Sequence, residues 1–214
     1  SLPLTTITAW ELLFDRLHVQ AADPTDNNVL LVIGAAGGVG SILTQLAREL
    51  TGMTVIGTAS RPETREWTLA HGAHHVLDHH QPWAPQLAAL GIEHVTQVAG
   101  LNNSAAYVPQ IAAVLRPEGQ FALIDDPVGL DIGPFKGKSI SIHWELMFTR
   151  AMFTTDTIAR QHALLRRAAQ LVDQGRLKHT VTRRIDGINA ASLIEAHALV
   201  EAGKMIGKVV VANH

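Results

Sequence analysis

The sequence predicts an α/β fold with a doubly wound, six-stranded parallel sheet followed by extra helices and strands, and three observations predict it. Short apolar runs alternate with helical segments over about two thirds of the 214 residues, the rhythm of right-handed crossovers that cover a parallel sheet on both faces. The first run, Val29 to Ile33, breaks into Gly34-Ala35-Ala36-Gly37-Gly38-Val39-Gly40 and restarts as Ser41-Ile42-Leu43-Thr44-Gln45-Leu46-Ala47. A buried strand that stops at small residues and resumes with helical spacing aims N–H groups and a positive helix end at one point, which suits a phosphate. Beyond about residue 150 the alternation continues with elements surplus to such a sheet.

Each element has its own signal. Thr6 to Val19 reads as an amphipathic helix, with Ile7, Trp10, Leu13, Phe14 and Leu17 recurring at three and four residues, and 23–28 as a polar turn. Strands are expected at 29–33, 54–58, 75–77, 94–98, 120–124 and 139–143. Helices are expected between them at about 38–51, 62–71, 83–90 and 103–115, the second opening on Pro62 at a first-turn position that tolerates proline. Six strands in this rhythm, with the glycine turn after the first, describe a Rossmann domain over 1–150 together with its leading helix. The remainder, 151–214, holds a helix at 161–173, a strand at 180–184, a helix at 190–202 and a strand at 208–211, expected to pack on that unit or to complete a neighbouring domain. No internal repeat or low-complexity tract interrupts the chain.

Composition narrows the function classes. A formal charge of −2, from 17 Lys and Arg against 19 Asp and Glu, gives no bulk electrostatic reason for nucleic acid or an anionic membrane as partner. The absence of cysteine removes disulfides, thiolate zinc sites and cysteine nucleophiles. No apolar run approaches the length of a membrane span and no signal peptide opens the chain, so the expected location is the cytoplasm.

In a dinucleotide fingerprint the first small residue permits the tight turn, the second lets the backbone approach the pyrophosphate, and the third lets helix and strand pack closely. Here those positions are Ala35, Gly37 and Gly40. A bare glycine pattern is weak, and the strand before and amphipathic helix after are what make this one a dinucleotide site. A site for NAD places a carboxylate at the end of the second strand, about 20 residues past the turn. This chain instead has Ala59-Ser60-Arg61, with no acid before Glu63, and a guanidinium fork with a hydroxyl suits a 2′-phosphate. The expected cofactor is therefore NADPH.

Several segments together resemble the medium-chain dehydrogenase/reductase superfamily: 2–10 (Leu-Pro-Leu-Thr-Thr-Ile-Thr-Ala-Trp), the turn Gly34 to Gly40, His71-Gly72-Ala73 and Gly207-Lys208-Val209-Val210-Val211. Phe121 to Pro127 and His143 to Arg150 are most similar to its zinc-type alcohol dehydrogenase-like group, beside the quinone oxidoreductase-like branch. The resemblance implies hydride transfer between nicotinamide and a quinone, enone or carbonyl, or the reverse oxidation of an alcohol. It places Ala36, Gly37, Gly38 and Val39 at the pyrophosphate and Gly40 in the helix–strand contact. It places Ser60 and Arg61 at the adenosine ribose, His79 where relatives often have a tyrosine, and Ala99, Leu101, Ile124, Asp125 and Asp126 on the nicotinamide side. It implies that Ser1 aligns just after a GroES-like catalytic domain, so catalytic residues and zinc ligands of such a parent fall outside this sequence and the isolated chain binds cofactor with little turnover. It also implies a homodimer joined through the sixth strand, whose Ile140 and Ile142 alternate with Ser139 and Ser141.

Three rival readings can be weighed on the same residues. A short-chain dehydrogenase needs a tyrosine with lysine four residues on, and the only tyrosine, Tyr107, is followed at that distance by Ile111. His71, His74, His75, Asp78, His79 and His80 crowd ten residues, but a strand at 75–77 sends His74 and His75 to opposite faces, so no functional metal is expected. A dinucleotide- or RNA-binding module without turnover stays open as the alternative class. It would want a basic groove with stacking aromatics, whereas aromatics are 5% of residues and the basic pairs are Arg166-Arg167 and Arg183-Arg184.

Overall fold

The computed structural model describes residues 2–21 and 27–213; most of the polar turn read at 23–28 lies outside them. Helix α1 (Pro3–Trp10) opens with proline in its first turn and passes directly into a π-helical turn, Glu11–Arg16, where a single helix was expected to start at Thr6. The apolar stripe is kept, and Leu12, Leu13 and Leu17 are fully buried. The wider turn is closed by Leu17 N–H donating to the Leu12 carbonyl at 2.9 Å.

Strand β1 (Val29–Ile33) leads through the glycine turn into α2 (Gly38–Leu50), followed by β2 (Thr54–Thr58), α3 (Pro62–Ala70), β3 (His75–Leu77), α4 (Trp83–Ala89), β4 (Val95–Gly100), α5 (Ser104–Val114) and β5 (Leu115–Leu123). A 3-10 turn, Gly133–Lys138, precedes β6 (Ser141–Trp144). The sheet order is β3-β2-β1-β4-β5-β6 and every pairing is parallel, the expected doubly wound Rossmann sheet. The order reverses between β1 and β4, and a ligand crevice opens outside the strand ends at such a switch point.

Side-chain alternation along β1 feeds two cores. Leu30 and Val32 join Leu12, Leu13, Ile42, Leu46 and Leu171 on one face, and Leu31 and Ile33 join Trp83, Val108, Ile111 and Phe121 on the other. Each such fully buried side chain contributes about 1.5 to 3 kcal/mol of transfer free energy. Strand β5 starts five residues earlier than its expected position because Leu115 already pairs with Val95 across an irregularity, and Glu118 takes a positive φ of 60° within it. Strand β6 is displaced toward Trp144 because Ser139, at φ 52°, still belongs to the end of the 3-10 turn.

Helices α6 (Thr149–Met152) and α7 (Ala159–Asp173) follow, and α7 packs on α1. Strands β7 (Val181–Asp186) and β8 (Lys208–Ala212) form a separate two-stranded parallel sheet around α8 (Ala190–Glu201). This unit returns to the glycine turn, where the Gly207 N–H donates to the Ala36 carbonyl at 2.8 Å. None of the helices among the described residues is long and apolar enough to cross a membrane.

Candidate dinucleotide site

The glycine turn is shaped by two tight requirements. Gly34 has φ +78°, a left-handed conformation that other residues adopt at a cost, and its N–H donates to Thr58 Oγ1 at 3.3 Å. Gly40 lies against the strand end so closely that a Cβ there would overlap the Gly34 carbonyl and sit 2.6 Å from Ala35 Cα. Gly37 is the N-cap of α2 and supplies no side-chain acceptor, so the first-turn N–H groups have no side-chain cap. That arrangement fits an anion such as a pyrophosphate. Gly38 carries the Lys208 side chain against it, and Val39 turns away into the first core.

A cleft of about 380 Å³ opens at this turn. Its walls include Ala36, Gly37, Ser60, Arg61 and His79 from the sequence-derived set. They also include Asn102, Asn103, Tyr107, Lys204 and Met205, which sequence reasoning missed as site residues. Arg61 is the N-cap residue of α3 and is partly exposed; its Nε lies 3.3 Å from Glu63 Oε1 and its Nη2 donates to the Lys204 carbonyl at 3.0 Å. The Arg61 guanidinium is thus held against the Lys204 backbone at the wall of the cleft. The His79 ring meets Tyr107 edge-on at 6.4 Å, and Tyr107 stacks on the buried Trp83 at 5.2 Å. Burial, helped by the neighbouring His80, holds the His79 pKa below its ordinary value, so this wall is neutral at physiological pH.

Ala99, Leu101, Ile124, Asp125 and Asp126 do not line this cleft. Ala99 is wholly buried between Val32 and Ala122, leaving only its backbone near the strand end. Leu101 and Ile124 pack on the first core, and Asp126 is exposed. Asp125 accepts from the Ser104 N–H at 2.8 Å and the Ser104 hydroxyl at 2.6 Å, which fixes the start of α5 and with it the Asn102–Asn103 corner of the cleft.

Elsewhere the histidines have separate partners. His74 Nδ1 accepts from the Val55 N–H at 2.9 Å, and His71 stacks on Trp67 at 3.8 Å. Among the described residues no three His, Asp or Glu side chains converge on a metal position. Arg183 and Arg184 are paired with Glu195 at 3.1 Å and Asp186 at 2.9 Å.

Fold and cleft together define a dinucleotide-binding protein of the dehydrogenase type. Residues 71–211 match the family profile described as zinc-binding dehydrogenase, and the chain belongs to that family of oxidoreductases. It is 37% identical over 214 residues to a zinc-type alcohol dehydrogenase-like protein of Staphylococcus epidermidis, covering 99% of this chain and 63% of the relative. Among solved structures it is similar to a Rhizobium etli protein classed with zinc-dependent alcohol dehydrogenases, at 51% identity and a TM-score of 0.94, over all of this chain and 62% of that one. A mycobacterial protein in complex with NADPH matches at 28% identity and a TM-score of 0.76, covering 97% of this chain and 62% of its own. An NAD-dependent alcohol dehydrogenase matches at 25% identity and the same TM-score, 0.76, over 98% and 56%. The chain therefore spans 56% to 63% of these relatives, one of which holds NADPH and another of which is described as NAD-dependent.

Proposed function

We propose that this chain is the cofactor-binding part of an NADPH-dependent oxidoreductase that reduces a quinone, enone or carbonyl, or oxidises an alcohol. The observation that carries the choice of NADPH is the end of β2, where Ser60 and Arg61 line the cleft and the first carboxylate, Glu63, is drawn against Arg61. When bound, the nicotinamide supplies the hydride chemistry. The chain's own work is to hold the pyrophosphate on the first turn of α2, seat the adenosine end between Arg61 and the neutral His79–Tyr107 wall, and fix the orientation through the rigid strand ends.

Titration calorimetry of the unmodified chain is expected to show tighter binding of NADPH than of NADH. Arg61→Ala should weaken NADPH by about 1.5 to 3 kcal/mol, more than tenfold in Kd, and leave NADH nearly unchanged. Equal binding of the two cofactors to the unmodified chain, or an Arg61→Ala chain with full NADPH affinity, would overturn the assignment.

We also infer a homodimer through β6. Among the described residues this strand is the sheet edge, paired with β5 alone, and its Trp144 and the following Leu146 and Phe148 are 54%, 51% and 48% exposed. An open edge beside exposed apolar side chains favours pairing with a second copy. Light scattering should report a dimer that Ile142→Pro shifts toward monomer; a monomer at high concentration argues against it.

A further inference from the structure

Away from the cleft, the fold buries a group of charges that hydride transfer leaves unused. Glu11 comes from the π-helical turn and Glu145 from the residue after β6, and their side chains are 1% and 0% exposed. Arg150, on α6, donates to Glu11 Oε1 at 2.6 Å and to Asp15 Oδ2 at 2.7 Å. Arg16 donates through Nε to Glu145 Oε2 at 2.9 Å. From α7, Gln161 donates to Glu11 Oε1 at 2.9 Å and to the Met147 carbonyl at 2.7 Å. The other ionisable groups facing the cluster are His143 on β6 and His18 after the π turn, whose rings meet edge-on at 5.8 Å, and the largely exposed Arg160, 3.5 Å from Asp15.

The charges of this group are matched, but two of its oxygens are not. Three carboxyl groups, Glu11, Asp15 and Glu145, face three guanidinium groups, of which Arg150 is enclosed while Arg16 and Arg160 are 30% and 64% exposed. Glu11 Oε2 and Glu145 Oε1 are both buried, and among the described residues no donor reaches either. A proton on one of the two acids supplies the donor that both oxygens lack, because an ionised carboxylate only accepts. We propose that Glu11 and Glu145 form a proton-binding site, an acid pair that shares one proton and thereby braces residues 145–150 against the π-helical turn.

The electrostatics agree. Burial first, and then the adjacent Glu11, push the Glu145 pKa from an ordinary 4.5 up to about 7, against the opposing pull of Arg16. Because the folded value is raised, the proton's contribution to stability is fully present below the ordinary carboxyl value and is lost as pH rises through about 7. The braced segment carries Leu146 and Phe148 beside the β6 edge, so loss of the proton loosens the surface next to that edge.

Histidines add a slope of the opposite sign. Burial, with the charges of His18 and Arg16, lowers the His143 pKa, so its contribution is present above the ordinary histidine value and lost as pH falls. His71, His74 and His79 are lowered as well. The test is therefore a difference between two chains. Glu145→Gln puts an amide N–H where the proton sits, and Glu11→Gln does the same from the other side.

Denaturant unfolding of the wild-type and Glu145→Gln chains should show a stability difference that moves in favour of the variant between about pH 5.5 and 8. The expected change is at least about tenfold in the ratio of unfolding constants, one pKa unit of linkage. Infrared difference spectra should show a protonated carboxyl band in the wild type that fades near pH 7 and is missing from the variant. A stability difference that is flat across this window overturns the proposal. If Glu145→Gln does not fold, the wild-type infrared titration and Glu11→Gln decide, and a wild type without a protonated carboxyl band at about pH 6 overturns it equally.

Discussion

Replacing Arg150 with methionine is expected to destabilise the fold by about 3 to 5 kcal/mol, the range for removing one partner of a buried ion pair. The guanidinium is 7% exposed and bridges Glu11 and Asp15, and its Nε donates to Thr157 Oγ1 at 3.2 Å. Burial opposes its charge, but the Asp15 hydrogen bond together with the charge of Glu11 outweighs this and raises its pKa. Without it, Glu11 keeps Gln161 as its neutral donor and must otherwise hold a charge, or a second proton, away from water. Lysine should recover only part of the loss, since one ammonium on a flexible stem does not reproduce a fork bonded to two carboxylates. Chemical denaturation near pH 7 checks the value, and a loss below about 1 kcal/mol would show that water substitutes for the guanidinium.

This network also marks where the sequence stopped being legible. Ile7, Trp10, Leu13, Phe14 and Leu17 repeat at helical spacing, and that stripe predicts a helix without distinguishing an α from a π turn. Glu11, Asp15, Arg16, Glu145, Arg150 and Gln161 stand up to 150 positions apart, and hydrogen bonds from Arg150 and Gln161 to the π-helical turn, with Arg16 reaching Glu145, make them neighbours. The doubly wound sheet was legible because β1 is a continuous apolar run and the short runs at β2 and β4 alternate with helical segments, the rhythm of a buried parallel sheet. The short edge strand β6 and the irregular start of β5 were placed less well, since pairing rather than hydrophobicity sets their ends.

The same division runs through the cleft. Gly37, Ser60 and Arg61 follow strand ends, so the Rossmann register alone puts them at the cleft. Lys204 does not: it stands 143 positions from Arg61 and reaches the cleft because Gly207 hydrogen-bonds to Ala36 and carries the segment before β8 back over the glycine turn. Asp125 is a strand-end residue by position, yet its carboxylate is taken up by Ser104, a bond between β5 and α5 with no periodic signature.

Gly40→Ala is expected to destabilise the chain by about 3 kcal/mol and to remove measurable dinucleotide binding. The penalty sits at the upper end of the range for overpacking because the atoms in the way are backbone. A Cβ at this position would overlap the Gly34 carbonyl and lie 2.6 Å from Ala35 Cα and 2.7 Å from Ala35 C, where no rotamer change can give relief. Relief has to come from moving α2 away from β1 or from reshaping the 34–37 turn. Either movement carries the N–H groups at the start of α2 off the pyrophosphate position and strains the Gly207–Ala36 hydrogen bond that holds the far wall of the cleft. Gly91→Ala is a fitting control: Gly91 also has a positive φ, of 73°, but nothing lies within 4 Å of its Cβ position. It should lower stability through backbone strain, on the order of 1 kcal/mol, and leave cofactor affinity intact. Denaturation midpoints and NADPH titration on both variants separate the effects, and a Gly40→Ala chain that still binds NADPH at wild-type affinity would show that this glycine turn is not where the pyrophosphate sits.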